Sequence, residues 1–206
     1  MGSAGVTVLG HDVGGWLAMN VAANDQQVKG VTLLSTPGRP LVDVLADGFR
    51  AVYGQASADR FRATVATLVS TGQLPAAESV RPEHQAVLGQ GQTDILEGMF
   101  AASPTADAAR VKVPAQVVYG AQSNTVSKVD ADNLARAIGP SAQVVPYEGG
   151  TNLKKVVPDG EAVKFDPNDE STHVFGARPL VHVPRDEATL GKIVTFLRSA
   201  VRGGTA

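Results

Sequence analysis

A chain of 206 residues with 43% hydrophobic content suits one soluble globular domain with a sizeable core. Eighteen basic against twenty acidic side chains give a formal charge of −2 with no basic run, which argues against nucleic acid as a partner. There is no cysteine for a disulfide or thiolate metal site, and the four histidines are scattered without zinc-ligand spacing. No apolar run approaches the roughly 20 residues of a membrane span, and the Met1 end carries no basic-then-apolar leader, so the expectation is a cytoplasmic protein with no cofactor, no metal and no membrane contact.

In chain order, Val6–Leu9 reads as a strand that runs into Gly10-His11-Asp12-Val13-Gly14-Gly15 and then into a helix over Trp16–Ala23. Gly10 and Gly14 fit the outer positions of a G-x-S-x-G nucleophile elbow, where near-absent side chains permit a sharp bend and hold the central residue out over the sheet. The central residue is Asp12. Two other readings compete. A glycine loop before a helix makes an anion site, but this spacing matches neither dinucleotide nor P-loop patterns, and Asp12 puts negative charge where the anion belongs. Alternatively, Asp12 caps the helix, its carboxylate taking the exposed N–H groups at the positive end of the dipole. The neighbouring His11 is expected to pack or hydrogen-bond under the turn.

A second strand, Val28–Leu34, precedes a long segment from Pro40 to Val113. Its apolar spacing at Val42, Leu45, Phe49 and Val52, and again at Phe61, Val65 and Leu68, predicts several helices. This segment is either a lid over the sheet, with His84 belonging to it, or simply a cover for the core. Strands at Ala115–Tyr119 and Gln143–Pro146 flank a helix over Asp130–Ile138 that stops at Gly139-Pro140. The stretch Val156–Arg185 carries Pro158, Pro167, Pro179 and Pro184 and reads as an irregular loop, its carboxylates Asp159, Glu161, Asp166, Asp169 and Glu170 solvated. A helix over Asp186–Arg202 closes the chain with Leu190, Ile193, Val194, Leu197 and Val201 on one face. Strands alternating with helical patterns predict an α/β fold with a parallel sheet.

The elbow, Val31-Thr32-Leu33-Leu34-Ser35-Thr36-Pro37-Gly38-Arg39-Pro40-Leu41, and Gly120-Ala121-Gln122 with Val126-Ser127 together resemble the second half of a bacterial α/β-hydrolase of the serine-esterase and peptidase type. The resemblance implies one domain over 1–206: a truncated parallel sheet flanked by helices, a helical cap insertion over about 40–113 and a pocket between cap and sheet. It also implies a triad, and each of its positions is altered. The nucleophilic serine corresponds to Asp12, the acid in a turn resembling Gly-Ala-x-Asp corresponds to Ser123, and the base in a pattern resembling Asn-His-x-x-Lys corresponds to Asn152. Haloalkane dehalogenases and many epoxide hydrolases use an elbow similar to Gly-His-Asp-x-Gly, in which the Asp forms an ester that a His-activated water hydrolyses. A serine supplies no charge to an imidazolium, and an amide moves no proton near neutral pH.

The expectation is therefore a degenerate, non-catalytic hydrolase-like protein that binds or assembles. The alternative is an active Asp-nucleophile hydrolase of an epoxide, halide or ester, with His173 or His182 folded back as the base and the Val13 amide as oxyanion donor. A small-molecule binding module, with an apolar ligand under the cap, is a third reading. An unpaired edge at the first strand predicts a partner, either a second protein chain or another copy, to cover it.

Overall fold

The computed structural model describes residues 5–89, 93–123, 125–149 and 186–203. Four parallel strands form one sheet in the order β1-β2-β3-β4: β1 is Val6–His11, β2 Val28–Leu34, β3 Ala115–Gly120 and β4 Ala142–Tyr147. All four strands expected from the sequence are present, β1 running on to His11.

Chain order equals spatial order, so each strand returns through a helical crossover, as parallel pairing requires. Thr32 and Leu34 of β2 stand beside Gln116 and Val118 of β3, and Val118 stands beside Val145 of β4. Every residue of β3 is buried, as are all of β2 except Lys29, whereas β1 has three exposed residues. That contrast explains the apolar continuity of β2 and β3, which are covered on both faces.

Helices α1 (Gly14–Asn24), α6 (Pro104–Arg110), α7 (Lys128–Ile138) and α8 (Glu187–Val201) surround the sheet. Leu34, Val118, Val145 and Tyr147 pack against Ile193 of α8, with Leu190 and Leu197 beside them. Helix α7 begins in a capping box: the Ser127 hydroxyl accepts from the helix backbone while the Asp130 carboxylate accepts from the Ser127 N–H. Helix α8 begins at Asp186, whose carboxylate accepts from the Thr189 N–H at 3.0 Å and the Thr189 hydroxyl at 2.9 Å.

The remaining helices make a second compact unit of their own. These are α2 (Leu41–Tyr53), α3 (Gln55–Thr71), α4 (Pro82–Leu88) and α5 (Thr93–Ala101), with a short 3-10 turn at Ala77–Ser79. Phe49 and Phe61 pack on the buried His84 and Phe100 packs on Phe61, while Val44, Val65, Leu68 and Leu88 are buried aliphatic members of the same helices. Helix α6, within the segment read as one insertion, packs instead on α1 and α7 in the unit of the sheet. No described helix is long and apolar enough to cross a membrane.

Candidate functional site

The end of β1 turns sharply. The Asp12 N–H still donates to the Leu34 carbonyl at 3.0 Å, continuing the β1–β2 ladder, while the Asp12 carbonyl already accepts from the Gly15 N–H at 2.9 Å. Between those two bonds the backbone of Asp12 adopts φ +54°, the left-handed region that costs most residues energy and that Asp tolerates best after Gly and Asn. The chain thus passes from β1 into α1 through a sharp left-handed bend with Asp12 at its apex.

The steric demand falls on Gly10 and Gly15 rather than on Gly10 and Gly14. A Cβ on Gly10 would stand 2.5 Å from both the Gly14 carbonyl oxygen and the Gly15 Cα, and one on Gly15 would collide with the Thr36 side chain; nothing lies within 4 Å of the same position on Gly14. Gly10→Ala is therefore expected to lower stability by about 1–3 kcal/mol, since backbone cannot yield as a side-chain tip does. Gly14→Ala, in the first turn of α1, is expected to be neutral or stabilising by up to about 1 kcal/mol. Urea midpoints of the two variants check the contrast.

Asp12 is exposed. Desolvation by the atoms crowded at the strand ends nevertheless raises its carboxyl above the usual range, opposed by the His11 charge and by the Val13 N–H. Exposure limits the energetic weight of that rise. Asp12 does not cap α1. The capping position is Val13 in helical backbone, and no side chain takes a cap hydrogen bond there, because the left-handed turn sets the Asp12 backbone outside the helix. The Val13 amide, expected as an oxyanion donor, instead draws the Asp12 carboxyl down, second to the His11 charge. His11 is exposed at the end of β1 rather than packed beneath the turn.

Ser123 occupies the turn after β3, the second strand over from β1. That turn is stitched to the end of β4 by Ala121 N–H to Tyr147 O at 2.9 Å and Gln122 N–H to Gly149 O at 3.0 Å. The Ser123 hydroxyl is engaged locally, 3.4 Å from both the Thr125 hydroxyl and the Thr125 amide. Asn152, His173 and His182 lie outside the described residues, as does the stretch Val156–Arg185.

Two features escaped the sequence reading. Ser35, at the end of β2 between the elbow and the acid turn, is buried at φ +46°, and its hydroxyl has no hydrogen-bond partner among the described residues. Asp130 is fully buried and gathers the loop after β2. Its Oδ1 accepts from Gly38 N at 3.1 Å and Arg39 Nε at 3.0 Å, and its Oδ2 from Arg39 Nη2 at 3.1 Å and Ser127 N at 2.9 Å. The only sequence signal was Ser127-x-x-Asp130 before an apolar run, which announces a capping box and not a long-range ion pair.

A cavity of about 460 Å³ opens beside the acid turn, lined by Gln122, Tyr147, Glu148, Asp186, Thr189 and Lys192. No group of three or more His, Cys, Asp or Glu side chains suited to a metal ion exists among the described residues.

No protein-family model matches the sequence, and no curated protein matches it. Among solved structures, the chain is similar to the Pyrococcus furiosus esterase Pf2001, at 12% identity over 72% of this chain and 47% of that one, with a TM-score of 0.49. It is also similar to an enol-lactonase from Burkholderia xenovorans LB400, at 22% identity over 70% of this chain and 57% of that one, TM-score 0.41. A third is a thioesterase domain from the curacin biosynthetic pathway, at 18% identity over 74% and 62%, TM-score 0.40. The chain spans about half the length of the solved structures it matches. The likeness is one of fold only. The described residues themselves, a four-stranded parallel sheet flanked by helices with a left-handed bend between β1 and α1, are consistent with a truncated α/β-hydrolase-like fold.

Proposed function

We propose that this chain is a hydrolase-like protein that binds rather than hydrolyses, acting as a component of an assembly. The observation that carries the reading is the acid turn. Where a triad needs a carboxylate to orient and charge-stabilise a histidine, Ser123 offers a hydroxyl already engaged with Thr125. The sequence adds Asn152 at the position of the base. Among the described residues, the ionisable side chain that acts on Asp12 is its exposed neighbour His11.

The assembly half of the reading is supported by the β1 side of the sheet. Val6 and Leu9 on β1 and Leu17 and Val21 on α1 are exposed at 46%, 47%, 72% and 43%, and α1 carries no charged side chain. An edge strand that stands alone is usually guarded by charge or proline, and β1 has no proline, Lys, Arg, Asp or Glu, only His11 at its end. A second protein chain or another copy of this one would cover these side chains.

One observation favours a second reading, an Asp-nucleophile hydrolase of epoxides, halides or activated esters: the elbow keeps its strained backbone and its steric need for Gly10 and Gly15. Mass spectrometry separates the two. Under native conditions the chain is expected in a complex that Leu17→Lys weakens, with no mass gain after exposure to a panel of those electrophiles. A monomer that gains a covalent adduct, lost in Asp12→Ala, overturns the proposal and makes Asp12 a working nucleophile.

A further inference from the structure

The buried histidine of the helical unit belongs to no site described above. His84 on α4 is fully buried, and so is Ser57 on α3, whose hydroxyl lies 3.0 Å from His84 Nε2. The same hydroxyl lies 2.9 Å from Glu83 Oε1, which Arg81 Nε meets at 2.8 Å.

Proton counting fixes the arrangement. Burial raises the Glu83 carboxyl, but its backbone hydrogen bond, Ser57, Arg81 and His84 together outweigh that and hold it below the ordinary carboxylate range. Glu83 is therefore an anion that only accepts. Ser57 has a single proton and gives it to Glu83, so its oxygen accepts from His84 Nε2–H. The ring is then the neutral Nε2–H tautomer, and the bare nitrogen is Nδ1. That atom is buried without a hydrogen-bond partner among the described residues, in a cage whose nearest rings are Phe49 at 4.6 Å and Phe61 at 5.3 Å.

A proton added from solvent at Nδ1 would create a second donor at an atom with no hydrogen-bond partner among the described residues, and a buried charge between two Phe rings that Glu83 and the Ser57 backbone offset only in part. Both are costly in a dry interior, and the Phe rings return only part of that cost. The way out is for the ring to reach water. We propose that His84 is a proton-operated lock on the helical unit: protonation at Nδ1 releases α3 and α4 from the aromatic cluster while the sheet unit keeps its fold.

The groups facing the ring are few. Glu83 and Arg81 come from α4 and the residue before it, Ser57 and Phe61 from α3, Phe49 and Tyr53 from α2, and Phe100 from α5, where it packs on Phe61. Tyr53, raised by burial and by Glu83, stays protonated throughout. Burial, with Arg81, pushes His84 below its ordinary value of 6.5, against the Glu83 charge and a hydrogen bond to the Ser57 backbone. Protons then bind the open form more readily than the closed one. Protection is full above about pH 6.5 and is lost as pH falls below it, whereas Glu83 begins to contribute only below its ordinary 4.5.

Hydrogen exchange tests this, with each rate corrected for its intrinsic pH dependence. From about pH 7.5 to about pH 5, protection across Gln55–Thr71 and Pro82–Leu88 is expected to fall tenfold or more, in step with titration of the His84 ring resonances in NMR. Trp16, the sole tryptophan and part of the sheet unit, is expected to keep its emission. His84→Gln, which keeps a donor for Ser57 and cannot titrate, is expected to be equally protected at both pH values. Unchanged protection in the unsubstituted chain, or the same loss in His84→Gln, overturns the proposal. If that variant does not fold, the ring resonance alone decides: titration without loss of protection refutes the lock.

Discussion

Asp130→Asn should lower stability by about 3 kcal/mol, the low end of what removing one partner of a buried ion pair costs. For a chain of this size that corresponds to a fall of roughly 6–12 °C in the thermal midpoint. Both carboxylate oxygens face donors only: Gly38 N and Arg39 Nε at Oδ1, Arg39 Nη2 and the Ser127 amide at Oδ2. An amide in the same volume turns an NH₂ group toward donors whichever way it flips, so at least one set is left buried and unpaired. Arg39 is 22% exposed, which lets water recover part of its charge and places the loss at the low end of the range.

The companion variant fixes the cause. Arg39→Met removes the cation but leaves Asp130 with hydrogen bonds from Gly38 and Ser127, so it should cost less than Asp130→Asn. Thermal melts of both give the order. If Arg39→Met were the worse of the two, the ion pair, and not the gathering of backbone donors, would hold the loop after β2 to α7. That loop leaves β2 immediately beside the elbow, and a loosened Gly38–Arg39 would reach the site through Ser35 and Thr36.

Sheet, crossovers and elbow were legible in the sequence because each is a local signal. Val31-Thr32-Leu33-Leu34 and Ala115–Tyr119 are apolar on both faces, and a Gly10-x-Asp12 bend between strand and helix leaves few backbone options. What was illegible depends on contacts far apart in sequence. Asp130 read only as the start of a helix; its capping box with Ser127 is a local signal, but its link to Arg39 spans 91 residues and leaves no local trace. Gly14 was assigned the steric role that Gly15 holds, because the tight neighbour, Thr36, comes from the next strand's end. Asp12 also read as a helix cap, but the capping position is Val13 and no side-chain cap hydrogen bond forms there. His84 gave no signal beyond its place in a helical segment. Its meaning lies in Ser57, 27 residues earlier, and in three phenylalanines from three helices.

Phe61→Ala should be as costly as Asp130→Asn or more so, at about 3–5 kcal/mol, and felt in a different part of the molecule. Phe61 is fully buried, its ring 4.8 Å from Phe49, 5.3 Å from His84 and 6.0 Å from Phe100 by centroid, so truncation empties the middle of the cluster that joins α2, α3, α4 and α5. The buried aliphatics Val44, Val65, Leu68 and Leu88 remain, but a cavity at the junction of four helices closes only if they move together. The sheet unit has its own core around Val118 and Ile193 and its own reporter, Trp16, whose indole N–H donates to the Pro37 carbonyl at 2.9 Å. Urea titrations should therefore show helical circular dichroism lost at a markedly lower midpoint in Phe61→Ala, with Trp16 emission changing near the midpoint of the unsubstituted chain. A single shifted transition in both signals would mean that the aromatic cluster and the sheet melt as one cooperative body.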